Sequence, residues 1–224
     1  MPGKTGEKEL KPVTRKSTTN MSVVAIPLIN SLRGLDAVFP PTAQQLHRRR
    51  IGIAHHEAAH VFAAHHFGFS LKQNGAEIAA DGTGGLTHFL GEDIRFDGSS
   101  QARARAEEAI VLLLAGGAAH RKLSGDTDAG GYLIEGDDKS AKDIIEALTP
   151  TLHDKDLPWF ENPYPWGAMG GETERTAYLK VLRYRADRLV SENWAIIHRV
   201  AKTLLASKSL TAKQIQRIIT KTAA

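Results

Sequence analysis

Cysteine is absent from the 224 residues, so the chain has neither disulfides nor thiolate metal ligands. A metal site would have to be built from histidine and carboxylate. No run of 18 apolar residues occurs, and no transmembrane segment is expected. The opening MPGKTGEKELKPVTRKSTTN lacks the apolar centre of a secretory signal. A cytoplasmic protein is the expectation. There is no G-x-x-x-x-G-K-[ST] phosphate loop, so ATP chemistry is not expected. Basic and aromatic residues do not interleave, which leaves no strong nucleic-acid signal. No internal repeat is present.

The composition is 42% hydrophobic, enough to bury a core. Residues 1–20 hold five Lys and Arg against two Glu, and carry most of the formal net charge of +4. With little to bury, they read as a disordered basic leader. Residues 21–48 read as an extended or partly helical arm, in which Thr42 can cap the start of AQQLHRRR. Residues 49–222 form the main domain. A strong helix is expected over 50–67, stopped by Gly68. The segments AEIAA and LTHF suit a small β-hairpin or sheet, and GEDIRFDGSS reads as a loop. QARARAEEAIVLLLAGGAAHRKLSG reads as a helix ended by Gly125. Its Gly116-Gly117 pair costs helix stability and implies close packing against another helix. DTDAGGYLIEGDD reads as a loop leading into the helix KSAKDIIEALTPTL. Residues 154–171 read as an irregular loop. One long helix is expected from Glu172 to about Ala206, then a short one capped by Thr211 with Ile215, Ile218 and Ile219 inward. The fold class is mainly α with a small β element.

Five histidines fall within residues 55–66, and His56-Glu57-Ala58-Ala59-His60 is an H-E-x-x-H motif. On a helix, positions i and i+4 share a face, so both imidazoles can reach one Zn2+. Glu57 leaves the helix about 100° from His56, beside the metal's open position, where a carboxylate can act as general base. Ala58 and Ala59 let another element pack closely. IGIA before the motif and VFAA after it mark a buried helix, and buried polar groups need a reason. His55, His65 and His66 read as surface or satisfied structural residues. A catalytic zinc takes a third protein ligand. No further histidine follows at useful spacing, and EGDDKSAKDI offers Asp137 and Asp138.

Beyond the motif, the chain resembles the peptidase domain of FtsH-type zinc proteases over about residues 50–220. GAEIAADGTGGLTHFLGEDIRF is similar to that family's β-segment after the zinc helix, with Gly-Leu-Thr at 85–87 in place. EEAIVLLLAGGAAHRKLSG is similar to its next helix, with His120 where the family has Glu, and Ala59 stands where it commonly has Gly. GDDKSAKDI resembles the segment with the third ligand, an aspartate four residues before an alanine. That carries the role to Asp137, ahead of Ala141, with Asp138 the rival. ERTAYLKVLRYRADRLVSENWAIIHRVAKTLLASKSLTAKQIQRIITK is similar to the closing helices. The resemblance implies a zincin-like helical peptidase domain. It implies a zinc-dependent metalloendopeptidase, with His56, His60 and Asp137 on the metal and Glu57 as base. Its substrates would be unfolded or exposed peptide segments. A homo-oligomer and a separate unfoldase are the implied partners, the hydrolysis itself being ATP-independent. The contrasting expectation is a catalytically weak, zinc-containing regulatory or binding protein related to that domain.

Overall fold

The computed structural model describes residues 20–22, 41–79, 81, 83–90, 93–95, 99–125, 131–148 and 172–221. The protein is mainly helical with a small three-stranded antiparallel sheet. The helices are α1 (Ala43–Phe67), α2 (Ser100–Ser124), α3 (Gly131–Leu148), α4 (Glu172–Glu192), α5 (Trp194–Ser207) and α6 (Ala212–Thr220). The strands are β1 (Asn20–Ser22), β2 (Leu71–Ile78), β3 (Gly85–Phe89), β4 (Asp93–Arg95) and β5 (Ser209–Leu210). One sheet has the order β3-β2-β5, and β1 pairs with β4. No helix among the described residues is long and apolar enough to cross a membrane.

Local chemistry sets the ends of α1. Thr42 accepts from the Gln45 amide while the Gln45 side chain accepts from the Thr42 amide, a reciprocal cap. Gly68 ends the helix in the left-handed conformation at φ 70°. Arg105 of α2 adds a second device there. Its guanidinium donates to the Phe67 carbonyl at 2.6 Å and lies over the Phe69 ring. It thus satisfies one of the carbonyls a helix leaves open at its C-terminus.

The core is the contact of α1 with α2, backed by α5 and the sheet on one side and by α3 and α4 on the other. Gly52 faces His120, His56 faces Gly116, His60 bonds to Leu112, and Phe67 meets Arg105. Each step forward along α1 is an equal step back along α2, so the two run antiparallel in a fixed register. The first three pairs are four residues apart on both helices, which aligns one row of side chains on each. Ala109 to Ala119 of α2 are buried without a break. A helix apolar all round belongs at the centre of a fold, and α2 has neighbours on three sides.

Several segments differ from what the sequence alone suggests. α1 is continuous from Ala43, so the boundary expected after residue 48 falls inside a helix. The strand expected at AEIAA begins earlier, at Leu71, with an irregularity between Leu71 and Ala76. GEDIRF contains β4, which exists only because Asn20–Ser22 pairs with it, a partner more than seventy residues away. α3 begins at Gly131, inside the segment read as a loop. The single helix expected over 172–206 is two, broken at Asn193. There the side-chain amide of Asn193 donates to the Leu189 carbonyl at 2.8 Å and competes with the helical ladder. Ile215 and Ile219 are buried as expected and Ile218 is half-buried. The leader over 1–19, arm residues 23–40 and the proline-rich loop of 154–171 lie outside the described residues.

Gly75 holds the sheet to α6. Its φ is +58°, and a Cβ there would stand 2.2 Å from the Leu210 carbonyl oxygen and 2.9 Å from the Ala212 amide. Gly68 has φ +70° with nothing within 4 Å. Gly68→Ala should therefore cost only the left-handed penalty, about 1–2 kcal/mol. Gly75→Ala should cost that and about 1–3 kcal/mol more for displaced backbone. Urea unfolding of the two variants checks the order, and equal losses would contradict the packing at Gly75.

Candidate metal centre

Three buried atoms converge where α1, α2 and α3 meet. His56 Nε2 and His60 Nε2 are 2.9 Å apart. Asp137 Oδ2 is 3.0 Å from the first and 3.1 Å from the second. His56 is fully buried, and His60 and Asp137 are 4% and 8% exposed. The i, i+4 spacing on α1 brings the imidazoles together. Asp137 comes from the seventh residue of α3. Ala141, Ile144 and Ile145 continue its face into the core, so a stripe at helical spacing carries the carboxylate inward.

Asp138, one position on, turns about 100° away. Its Oδ2 pairs with Arg183 of α4 at 2.5 Å. The structure thus brings Asp137 to the histidines and commits Asp138 to an ion pair. His55 lies on the far side, with Nδ1 on the Ile51 carbonyl, Nε2 on His198 Nδ1 and its ring stacked on Trp194. His65 and His66 are exposed.

The protonation logic fits a cation. His60 Nδ1 is 2.9 Å from the Leu112 carbonyl oxygen. A carbonyl only accepts, so Nδ1 carries the hydrogen and Nε2 of the neutral ring presents a lone pair. That lone pair meets a second imidazole nitrogen and a carboxylate oxygen. Such a triangle needs a hydrogen or a cation among its three atoms. Without a metal, Nε2–H of His56 can supply it, and so can a positive charge on His60. Burial opposes it, but the Asp137 charge and hydrogen bond raise the His60 pKa to about 9. Burial likewise opposes the charge on Asp137, and the two imidazoles outweigh it and hold the carboxyl below its usual range. Tetrahedral ligands about 2.0–2.1 Å from zinc stand about 3.3–3.4 Å apart, so a slight opening of the triangle admits the ion.

His56 Nδ1 is buried with no hydrogen-bond partner among the described residues. Leaving such an atom unpaired costs about 1–3 kcal/mol.

Gly116 explains how the triangle fits beneath α2. A Cβ there would lie 2.5 Å from His56 Nε2 and 2.6 Å from His60 Nε2. The close packing expected of Gly116-Gly117 is therefore packing against imidazoles. The pair carried a signal in the sequence, but the signal did not say what would fill the space.

Glu57 is 2% exposed. Its Oε2 accepts from Thr87 Oγ of β3 at 2.7 Å. A Cβ on Gly85 would come within 2.7 Å of its Oε1. Burial raises the Glu57 pKa, against the pull of His56, His60 and the Thr87 hydroxyl. Thr87 and Gly85 were visible in the sequence only as part of a family-like segment. The Leu112 carbonyl gave no signal, being backbone. No protein-family model and no curated protein matches the chain.

Asp137→Asn should lose most bound zinc and Asp138→Asn should keep it, read as metal per chain in purified protein. Gly116→Ala should also lose zinc, since its methyl occupies the space the donors share. In the chelated protein the charged His60 contributes stability fully below its ordinary pKa of 6.5 and loses it as pH rises through about 9. Melting temperature without metal should therefore fall from about pH 7 to pH 10. The fall should be smaller in His60→Gln.

Proposed function

We propose that the chain is a zinc-dependent metalloendopeptidase of the kind found in FtsH-type peptidase domains. The observation that carries this is a buried triangle of His56 Nε2, His60 Nε2 and Asp137 Oδ2 next to a buried, hydrogen-bonded Glu57. Two neutral imidazoles and one carboxylate are a ligand set known for catalytic zinc, which leaves a coordination position open. When bound, zinc supplies Lewis acidity toward water and toward a peptide carbonyl.

The chain's own groups do the rest. His56, His60 and Asp137 hold the ion, with His60 oriented by its bond to the Leu112 carbonyl. A structural zinc has no need of a base beside it. The carboxylate of Glu57 takes a proton from the attacking water and returns it to the leaving amine nitrogen. Its burial favours this role, because burial raises the carboxyl pKa and makes the carboxylate a stronger base than an exposed one. β3 is an edge strand of its sheet, and one side of it has no strand partner among the described residues. An extended peptide can pair there by strand addition, which selects unfolded or exposed segments. Zinc as the physiological metal, a cytoplasmic setting, a homo-oligomer and a separate unfoldase partner belong to the same proposal.

The test is digestion of unfolded casein by the purified protein, with and without a chelator, alongside Glu57→Gln. The variant should keep zinc and lose cleavage by at least about 100-fold. Cleavage that survives in Glu57→Gln overturns the assigned mechanism. Zinc retained with no cleavage by the parent chain points instead to a zinc-containing binding protein.

A further inference from the structure

We infer that Thr87 is a positioning residue for Glu57, one that occupies Oε2 and leaves Oε1 to move the proton. This rests on the hydrolase reading above. The inner side of β3 is built of alternate residues, Gly85, Thr87 and Phe89, all buried. Each meets one residue of the site. Gly85 lies against Glu57 Oε1, Thr87 Oγ reaches Oε2, and Phe89 sets its ring edge-on to His60 at 6.5 Å between centroids. Successive residues on one face of a strand thus address successive groups on α1.

The direction of the bond follows from chemistry. A carboxylate accepts only, so the Thr87 hydroxyl donates its one hydrogen to Oε2. The Glu57 backbone carbonyl is also near, at 3.4 Å, too far to compete with 2.7 Å. The terminal torsion of a glutamate is broad and roughly two-fold. In water the two oxygens exchange freely, and a single buried donor ends that equivalence. The oxygen that remains faces Gly85, the one residue on this side of the strand with no side chain to obstruct it. Thr87 itself does not drift, because β3 is held to β2 in a register that pairs Ala76 with Thr87 and Ile78 with Gly85. Thr87 touches no metal donor, so its effect reaches the chemistry only through Glu57.

A threonine that merely fills the core predicts something different, and near-isosteric replacement separates the two. Thr87→Val keeps the shape and removes the donor. Thr87→Ser keeps the donor and removes a methyl. Both are made in the full chain and compared with the parent for zinc per chain, melting temperature, kcat and KM on a fluorogenic peptide, and affinity for a peptide hydroxamate. The hydroxamate binds at the metal and hands a proton to the neighbouring carboxylate, so it reads the placement of Glu57 without turnover.

Thr87→Val should keep full zinc, lose about 10-fold or more in kcat, hold KM within about twofold, and bind hydroxamate correspondingly less tightly. Thr87→Ser should return kcat and hydroxamate affinity to within about threefold of the parent. A valine variant with parental kcat and hydroxamate affinity overturns the inference and leaves the hydrolase reading intact. If the valine variant fails to fold, the serine variant decides. A zinc-loaded serine variant with parental kcat supports the role of the hydroxyl, and a tenfold loss there overturns it. A parent chain that cleaves nothing overturns both readings.

Discussion

Two imidazoles and a carboxylate stand on the buried middle of a helix, Gly52 to Ala64, and the rest of the molecule is arranged to make that tolerable. An unsatisfied buried polar group costs more than most single contacts return. Each of these groups is therefore met by a different element. α2 supplies a carbonyl for His60 and a glycine under the pair. α3 supplies the Asp137 carboxylate. β3 supplies the hydroxyl that Glu57 accepts. One atom, His56 Nδ1, goes without a partner among the described residues.

The antiparallel register of α1 and α2 is what makes these contacts simultaneous. A shift of one residue along α2 would place Ala115 or Gly117 opposite His56 and turn Gly116 away by about 100°. The register is anchored at both ends, by the seat of His120 beside Gly52 and by the grip of Arg105 on the Phe67 carbonyl. Ion pairs farther out tie α2 and α3 to α4, among them Arg121 with Asp187, Arg185 with Glu107 and Arg183 with Asp138. These are partly exposed, and each adds little alone. Their consequence for the site is selective. Arg183 holds Asp138 outward, and the same rotation of α3 holds Asp137 inward.

The chemistry that follows is one of a compensated charge. The triangle of donors needs a hydrogen or a cation at its centre, so a metal placed there would compete with a proton for the same lone pairs. Against burial, the Asp137 charge raises the His60 pKa to about 9, so a metal bound there at neutral pH would displace a proton. Glu57 is not one of the three donors, though their charges act on it. Its partner is a neutral hydroxyl, and burial raises its pKa. One carboxylate is held ionised by imidazoles and the other is pushed toward neutrality by burial, and the two assigned roles divide along that line.

Features with local causes were legible in the amino-acid sequence. Thr42, Thr211, Gly68 and Gly125 end helices through bonds made within four residues, and their positions needed no knowledge of the fold. The i, i+4 geometry of His56 and His60 is likewise internal to one helix. The position of Asp137 was half-legible, since Ala141, Ile144 and Ile145 define a buried stripe that includes it and excludes Asp138. What the sequence could not decide depends on partners distant in the chain. β4 forms because β1 reaches it, and the helix break at Asn193 falls where the Leu189 carbonyl accepts from both the backbone and the side-chain amide of Asn193. The space under His56 exists because Gly116 sits opposite it in a register set by contacts at Gly52 and Phe67, four and eleven residues away along α1. Residue types and short spacings are written in the chain. Which lone pair faces which donor is settled only when the helices pack, because the groups that meet at His56 and His60 come from α2 and α3, fifty or more residues away in the chain.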